Sequence, residues 1–404
     1  MQTPLLPGVP SHSSWGLSGI AQPCPVYYST QFPSVLCIQN YGAVLPEDFE
    51  RTIVANVGHT DTYGSTSVPS DPSFDLINNA SVLIWDLDRA IDILGPEPVV
   101  ESLFTVDDLP HEAPVYEPNL NIFLFSRLRP DPPSQYVVDL NYDPPRMDLR
   151  TFDPPLVAPC GATYHAGLIY LCGSATRNGK YVPGVYALNA TSGKVWPVVN
   201  NYFGYHFGTC DDLAVAPNGD IWFTDNWYSY SLPELRDNNT IHLESGVYRY
   251  QPSTGLVQLI ADDFDQPNGI AFAPDNQTVY ITDSGADTVT DDDRRVRYVP
   301  HLARTVYAAD LLPSGTGYVN RRAIYMAQDR VPDGIKLARN GYIVTAAGHG
   351  VDVLDPNGVH ILRIQADFSV INIAWAGKEG TDLWMVGYQK VGRVRWKLEG
   401  NPLV

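Results

Sequence analysis

The chain has 404 residues, with 45 acidic against 26 basic and a formal charge of −19. No run of Lys and Arg is long enough to follow a phosphate backbone or hold an anionic lipid surface, which excludes nucleic acid and membrane as partners. The longest apolar stretches are strand-sized, short of the ~20 residues of a membrane-spanning helix, and no obligate protein partner is evident. Residues 1 to 75 are rich in Pro, Ser and Gly and predict an arm packed on the outside of the domain that follows, over 76 to 404. The opening MQTPLLPGVP lacks the charged start and apolar middle of a secretory leader. N-x-S/T sequons nevertheless begin at Asn79, Asn189, Asn238 and Asn276. They predict a secreted, glycosylated protein in which Met1 stands in for a removed leader.

The stretch SVLIWDL…VVESLFTV, from Ser81 to Val106, offers strands that close a ring. From about residue 110 onwards, short alternating runs bounded by Gly, Pro, Asn and Asp recur, and helical periodicity is scarce. The runs are self-similar. Glu112-Ala-Pro-Val-Tyr, Cys160-Gly-Ala-Thr-Tyr, Asp211-Asp-Leu-Ala-Val, Asn268-Gly-Ile-Ala-Phe and Asp333-Gly-Ile-Lys-Leu each begin a strand, and a weaker sixth copy runs through Asn372-Ile-Ala-Trp. Each is followed by a polar turn and a second strand: NIFLFS, GLIYLCG, DIWFTD, TVYITD, GYIVTA and DLWMVG. The pattern predicts an all-β, six-bladed β-propeller with an N-terminal arm.

In a propeller the first strand of each blade lines the channel in one direction, so equivalent positions form a ring at one mouth. Four residues before Tyr116, Tyr164, Val215, Phe272 and Leu337 stand Glu112, Cys160, Asp211, Asn268 and Asp333. Four of these are oxygen donors whose carboxylates would repel in an empty channel, and hard oxygen ligands suit Ca²⁺, with Mg²⁺ or Mn²⁺ as alternatives. The competing reading is that Asn and Asp before Gly only make turns. Counting across the hairpins places Asp225 opposite Asp211 and Asp283 close to Asn268, either orienting ligands or capping strand ends. The same count makes Cys160 and Cys172 neighbours, bonded or as two separate thiols. Cys24 and Cys37 are a second candidate pair, leaving Cys210 free.

Loops at the metal mouth carry Tyr205, His206, Trp227, Tyr228, Tyr230, the stretch 291–297 and His349, with His111 beside Glu112. These predict a substrate wall, Tyr205, Trp227, Tyr228, Tyr230 and His111 binding and His206 and His349 in reserve as proton acceptors. No G-x-S-x-G elbow and no H-E-x-x-H occurs, so a serine triad and a zinc protease have no support.

On WDLDRAIDILGPEP, HEAPVY, DDLAVAPNGDIWFTD, PNGIAFAPDNQTVYITDSG and VPDGIKLARNGYIVTAAGHGVDVLDPNG, the chain resembles the senescence marker protein/gluconolactonase family, in particular its fungal extracellular lactonase branch, over residues 80 to 398. The resemblance implies one catalytic metal held by Glu112, Asp211, Asn268 and Asp333, and hydrolysis of a small sugar-type or related lactone. Two departures are the Asp211-Asp212 pair where the family usually has Asn-Asp, and Gly348-His349-Gly350 where it often has Gly-Asp-Gly. Since Ca²⁺ acidifies bound water far less than Zn²⁺, a side-chain base is required, and Asp333 is the first choice. Competing readings keep the metal but change the reaction, to phosphotriester hydrolysis or a biosynthetic isomerisation or cyclisation. A further one makes the ring a non-catalytic binding propeller stiffened by Ca²⁺.

Overall fold

Antiparallel meanders carry the chain from residue 115 to its end, and their burial falls from the first strand outwards. The first strand Pro267–Phe272 is buried at every position, whereas the fourth strand Arg146–Arg150 is mostly exposed. That gradient is the mark of strands stacked radially around a channel. The computed structural model describes residues 19–24, 34–39, 44–51, 67–106, 111–128, 133–174, 181–231, 241–290 and 295–402. Asn238 and residues 291–294 of the expected mouth lie outside them. No helix among the described residues is long and apolar enough to cross a membrane.

Sheet one is Val115–Glu117, Ile122–Phe125, Gln135–Asp139 and Arg146–Arg150, and sheet two is Ala162–His165, Leu168–Gly173, Gly184–Asn189 and Lys194–Val199. Sheet three is Leu213–Val215, Ile221–Asp225, Gly246–Gln251 and Leu256–Ala261. Sheet four is Pro267–Phe272, Thr278–Asp283, Thr305–Leu311 and Tyr318–Met326. Sheet five begins with Pro332–Leu337, Ile343–Ala347, Gly350–Leu354 and His360–Gln365, and the last sheet is Val370–Ala376, Asp382–Gly387, Lys390–Arg395 and Val99–Thr105.

The chain is an all-β propeller, but it departs from six equal blades with a separate arm. Among the described residues, five sheets have the four-stranded form. Sheet five is seven-stranded, because Val82–Ile84 adds to its outer edge and Val35–Ile38 and Ala21–Pro23 follow. The described N-terminal strands thus belong to a blade instead of lying against one. Their apolar side chains, Ile20, Leu36 and Ile38, pack with Phe74 and Ile77 of a short helix, which explains why a stretch read as an arm is ordered there. The region expected to close the ring is divided: Val82–Ile84 joins sheet five, and only Val99–Thr105 completes the last sheet.

The inner strands of sheets two to five open with a bulge. Asp211 N donates to Thr224 O while Thr224 N donates to Asp212 O, so two residues face one. Cys160 and Gly161 stand in the same way across from Cys172, and register shifts recur between Pro267 and Ile270 and between Pro332 and Ile335. Asn268-Gly269 and Asp333-Gly334 are therefore bulged strand starts and not turns. Gly269 is demanded by crowding: a Cβ there would meet Asp333 O at 2.6 Å.

The bulge also corrects the cysteine pairing. Cys172 bonds to Cys210 across the gap between sheets two and three, and Cys160 is a free, buried thiol. With Cys160 and Gly161 sharing one partner, the two side chains of the expected pair part: Cys160 lines the channel pocket, while Cys172 packs among Val185, Phe207 and Phe223. Cys24 and Cys37 are bonded.

Candidate metal and substrate pocket

A pocket of about 130 Å³ opens at the mouth where the inner strands begin. Glu112, Cys160, Asp211 and Asp333 line it from sheets one, two, three and five. Asn268 is buried at the corresponding place in sheet four, and its amide beside Asp333 opposes the rise of that carboxyl. The Oδ1 atoms of Asn268 and Asp333 have no hydrogen-bond partner among the described residues.

Burial, then the charges of Asp333 and Asp211, push the Glu112 carboxyl well above its ordinary range. Asp333 is driven the same way by burial, then by Asp211 and Asp287. Asp211 is pushed up to about 7 by burial, against the opposing bond from Asn226. Carboxylates that resist ionising beside one another, together with two orphaned oxygens, are a donor set suited to a hard cation. Among the described residues, however, no group of three or more His, Cys, Asp or Glu side chains is placed so that it could hold a metal ion.

The residues that hold this ring are largely ones the repeat did not single out. Thr224 Oγ1 donates to the Asn268 carbonyl at 2.6 Å, and Thr282 Oγ1 to the Asp333 carbonyl at 2.8 Å, so each blade fixes the donor of the next. Two residues further on, Asn226 Nδ2 reaches Asp211 Oδ2 (2.7 Å) and the Pro267 carbonyl (3.0 Å), and Ser284 Oγ reaches the Pro332 carbonyl at 2.7 Å. The matching FTDN and ITDS strings were the signal available. Asp225 and Asp283 do not orient the donors. Asp225 accepts from the backbone N–H groups of Gly208, Thr209 and Cys210, and Asp283 from those of Asp265, Gln266 and Gly285. Each thereby shapes the loop entering its blade.

Of the residues expected to grip substrate, Tyr228 lines the pocket, with its hydroxyl donating to Ser284 O at 3.0 Å. Val296, in the expected stretch 291–297, lines it as well, and the other named side chains lie off the wall. His111 is fully buried against Phe125 and Tyr136, with Nδ1 3.1 Å from Gly387 O. Trp227 Nε1 donates to Leu243 O, Tyr230 is buried, and Tyr205 is exposed against His242. His206 also sits beside His242. At the sheet-five turn the wall is Gly348, and the His349 backbone N–H is held by Asp329. Neither histidine ring lines the pocket. Sequence reasoning passed over Asp287 and Arg330, which do, joined by a forked pair at 2.7 and 2.8 Å. It also passed over Lys336, which meets the buried Asp212 carboxylate at 3.3 Å.

Radial meanders gathering three carboxylates and an amide at one channel mouth define a β-propeller with an oxygen-donor pocket. The chain belongs to the SMP-30/Gluconolactonase/LRE-like family, whose profile matches residues 150–388. It is 42% identical to the lactonohydrolase oryL of Aspergillus oryzae over 92% of this chain and 87% of that one. Identity to lactonohydrolase oryH of the same organism is 36%, over 95% and 94%. Among solved structures, a gluconolactonase from Xanthomonas campestris superposes with a TM-score of 0.62 at 23% identity, covering 77% of this chain and 92% of that one. A calcium-binding regucalcin from Agrobacterium tumefaciens superposes at 0.54 and 14%, covering 75% and 99%.

Proposed function

We propose that the chain is a secreted, divalent-metal-dependent lactone hydrolase, with residues 76–404 as the catalytic propeller. The observation that carries this is the convergence of Glu112, Asp211 and Asp333 on one pocket with Asn268 beside them, in a chain closely similar to two proteins named lactonohydrolases. Glu112, Asp211, Asn268 and Asp333 would hold the cation, and their hard oxygens favour Ca²⁺. When bound, such a cation supplies Lewis-acid polarisation of the lactone carbonyl and charge to match the oxyanion.

The chain's own groups supply the rest. Asp333 has a free Oδ1 and accepts the proton of the attacking water. Thr282, through the Asp333 carbonyl, keeps that residue in place. Tyr228 closes one wall, and its hydroxyl is held by Ser284. Secretion is supported by the two disulfides, which persist in oxidising compartments. It is also supported by sequons at Asn189 and Asn276, in hairpin turns at the end of the channel away from the pocket.

The deciding experiment follows lactone opening by acid release against Ca²⁺ concentration. Glu112→Gln keeps an oxygen and is expected to recover much of its rate at high Ca²⁺. Asp333→Asn keeps an oxygen too but loses the proton acceptor, so its rate stays about 10² to 10⁴-fold low at saturating metal. Full rescue of Asp333→Asn by metal would remove Asp333 from the proton-accepting role.

A further inference from the structure

Resting on the lactonase reading, we infer that the substrate is a lactone carrying an alkyl or similar apolar substituent, not a polyhydroxylated sugar lactone. Five aliphatic side chains line the pocket beside the carboxylates: Leu128, Val296, Val331, Val370 and Ile371. They come from separate segments, after the second strand of sheet one, before sheet five, at the start of the last sheet, and in the connection within sheet four. They therefore surround the space from several sides, and Val331, Val370 and Ile371 are themselves buried.

The polar groups of the same wall are mostly committed to the protein. Ser174 Oγ donates to Ala158 O at 2.8 Å, Ser231 Oγ to Tyr228 O at 2.7 Å, and Tyr228 Oη to Ser284 O at 3.0 Å. Both oxygens of Asp287 are taken by Arg330, and Thr209 Oγ1 already accepts from Ser229 N–H. Apart from the carboxylates assigned to the cation, the lining hydroxyls without a hydrogen bond among the described residues are those of Ser229, Ser369 and Tyr388. A sugar lactone presents several hydroxyls, each needing a partner once water is excluded. Every one left unmatched in a buried site costs about tenfold in binding. An aliphatic substituent needs no partner and gains from each methylene covered.

The test uses the intact protein with Ca²⁺, a series of δ-lactones from unsubstituted to pentyl-substituted, and glucono-δ-lactone, read by acid release. We expect kcat/KM to rise about three- to fourfold per methylene until the wall is filled, and the better alkyl lactones to exceed glucono-δ-lactone at least tenfold. Val331→Thr and Val370→Thr, which nearly preserve shape, are each expected to lower the ratio of pentyl- to unsubstituted-lactone kcat/KM about fivefold while melting as cooperatively as the parent. Faster turnover of glucono-δ-lactone than of every alkyl lactone overturns this inference and leaves the lactonase reading standing. An unchanged ratio in both variants also overturns it. If the metal-loaded protein opens no lactone at all, the lactonase reading fails and the inference falls with it.

Discussion

Two threonines do work out of proportion to their size. Thr224 and Thr282 occupy the same register in sheets three and four, buried, and each donates to the backbone carbonyl of the next blade's oxygen donor. Changing Thr282 to Val keeps the volume and strips the bond from a crowded carbonyl, at a cost of about 1–3 kcal/mol. Because that carbonyl belongs to Asp333, the loss is expected in two readouts, a lower melting temperature and a weaker Ca²⁺ titration. Thr282→Ser, which restores the hydroxyl, should recover most of both. Wild-type Ca²⁺ affinity in Thr282→Val would show that the bond serves packing alone. These residues show where sequence reading stopped. The donors were legible because one register repeats with oxygen atoms in it, whereas Thr224 and Thr282 sit in a register that any buried strand could fill. Asp287 and Arg330 lie in connections where no repeat constrains them, so only three dimensions join them.

At the scale of elements, sheet five departs furthest from the simple repeat, and a buried charge cluster lies within it. Asp352 and Arg363 are cross-strand partners joined at 2.7 Å, and Arg363 also reaches Asp329 at 2.8 Å. Tyr325 donates to Asp352 at 3.0 Å, and His360 stands 3.3 Å from the same carboxylate. Burial alone would raise the Asp352 carboxyl, but the Arg363 charge, with His360 behind it, holds it below its ordinary value. A depressed carboxylate contributes stability that is present above its unfolded value, near 3.8, and is lost as pH falls below it. Asp352→Asn leaves Arg363 buried with one partner fewer and is expected to cost about 3–5 kcal/mol near neutral pH. Its stability should also fall less steeply than the parent's below pH 4. Denaturant titrations of both proteins from pH 7 to pH 3 decide this, and parallel curves would show that the pair is not linked to acid stability. The inner meander of this sheet was legible as GYIVTA and GVDVLDPNG. Val82–Ile84 was legible as a strand but not as part of this sheet, and the two strands beyond it were not legible, because Ala21–Pro23 and Val35–Ile38 are too short and too rich in Pro and Cys to show alternation.

For the molecule as a whole, the question is what keeps a ring of separate sheets shut. One tie is strand pairing between distant parts of the chain: Val99–Thr105, early in it, pairs with Lys390–Arg395 near its end, and Glu101 meets Arg393 at 2.7 Å. A second is the run of contacts between neighbouring inner strands, such as Ala113 N–H to Cys160 O at 2.8 Å. The proposed cation would be a third, since its donors come from sheets one, three, four and five, while in its absence their carboxylates repel around the channel. A ligand that binds only the closed ring stabilises it by mass action, by about 2.7 kcal/mol at a hundred times its dissociation constant. Thermal unfolding of the chelator-treated protein is therefore expected several degrees below that of the same protein with excess Ca²⁺. Glu112→Gln and Asp333→Asn should begin from a less repulsive ring, melt at or above the chelated parent, and gain less from added Ca²⁺. If the parent melts at one temperature with and without the metal while lactone opening still requires it, the cation takes part in the chemistry without bracing the ring, and closure rests on Val99–Thr105 and the inner-strand contacts.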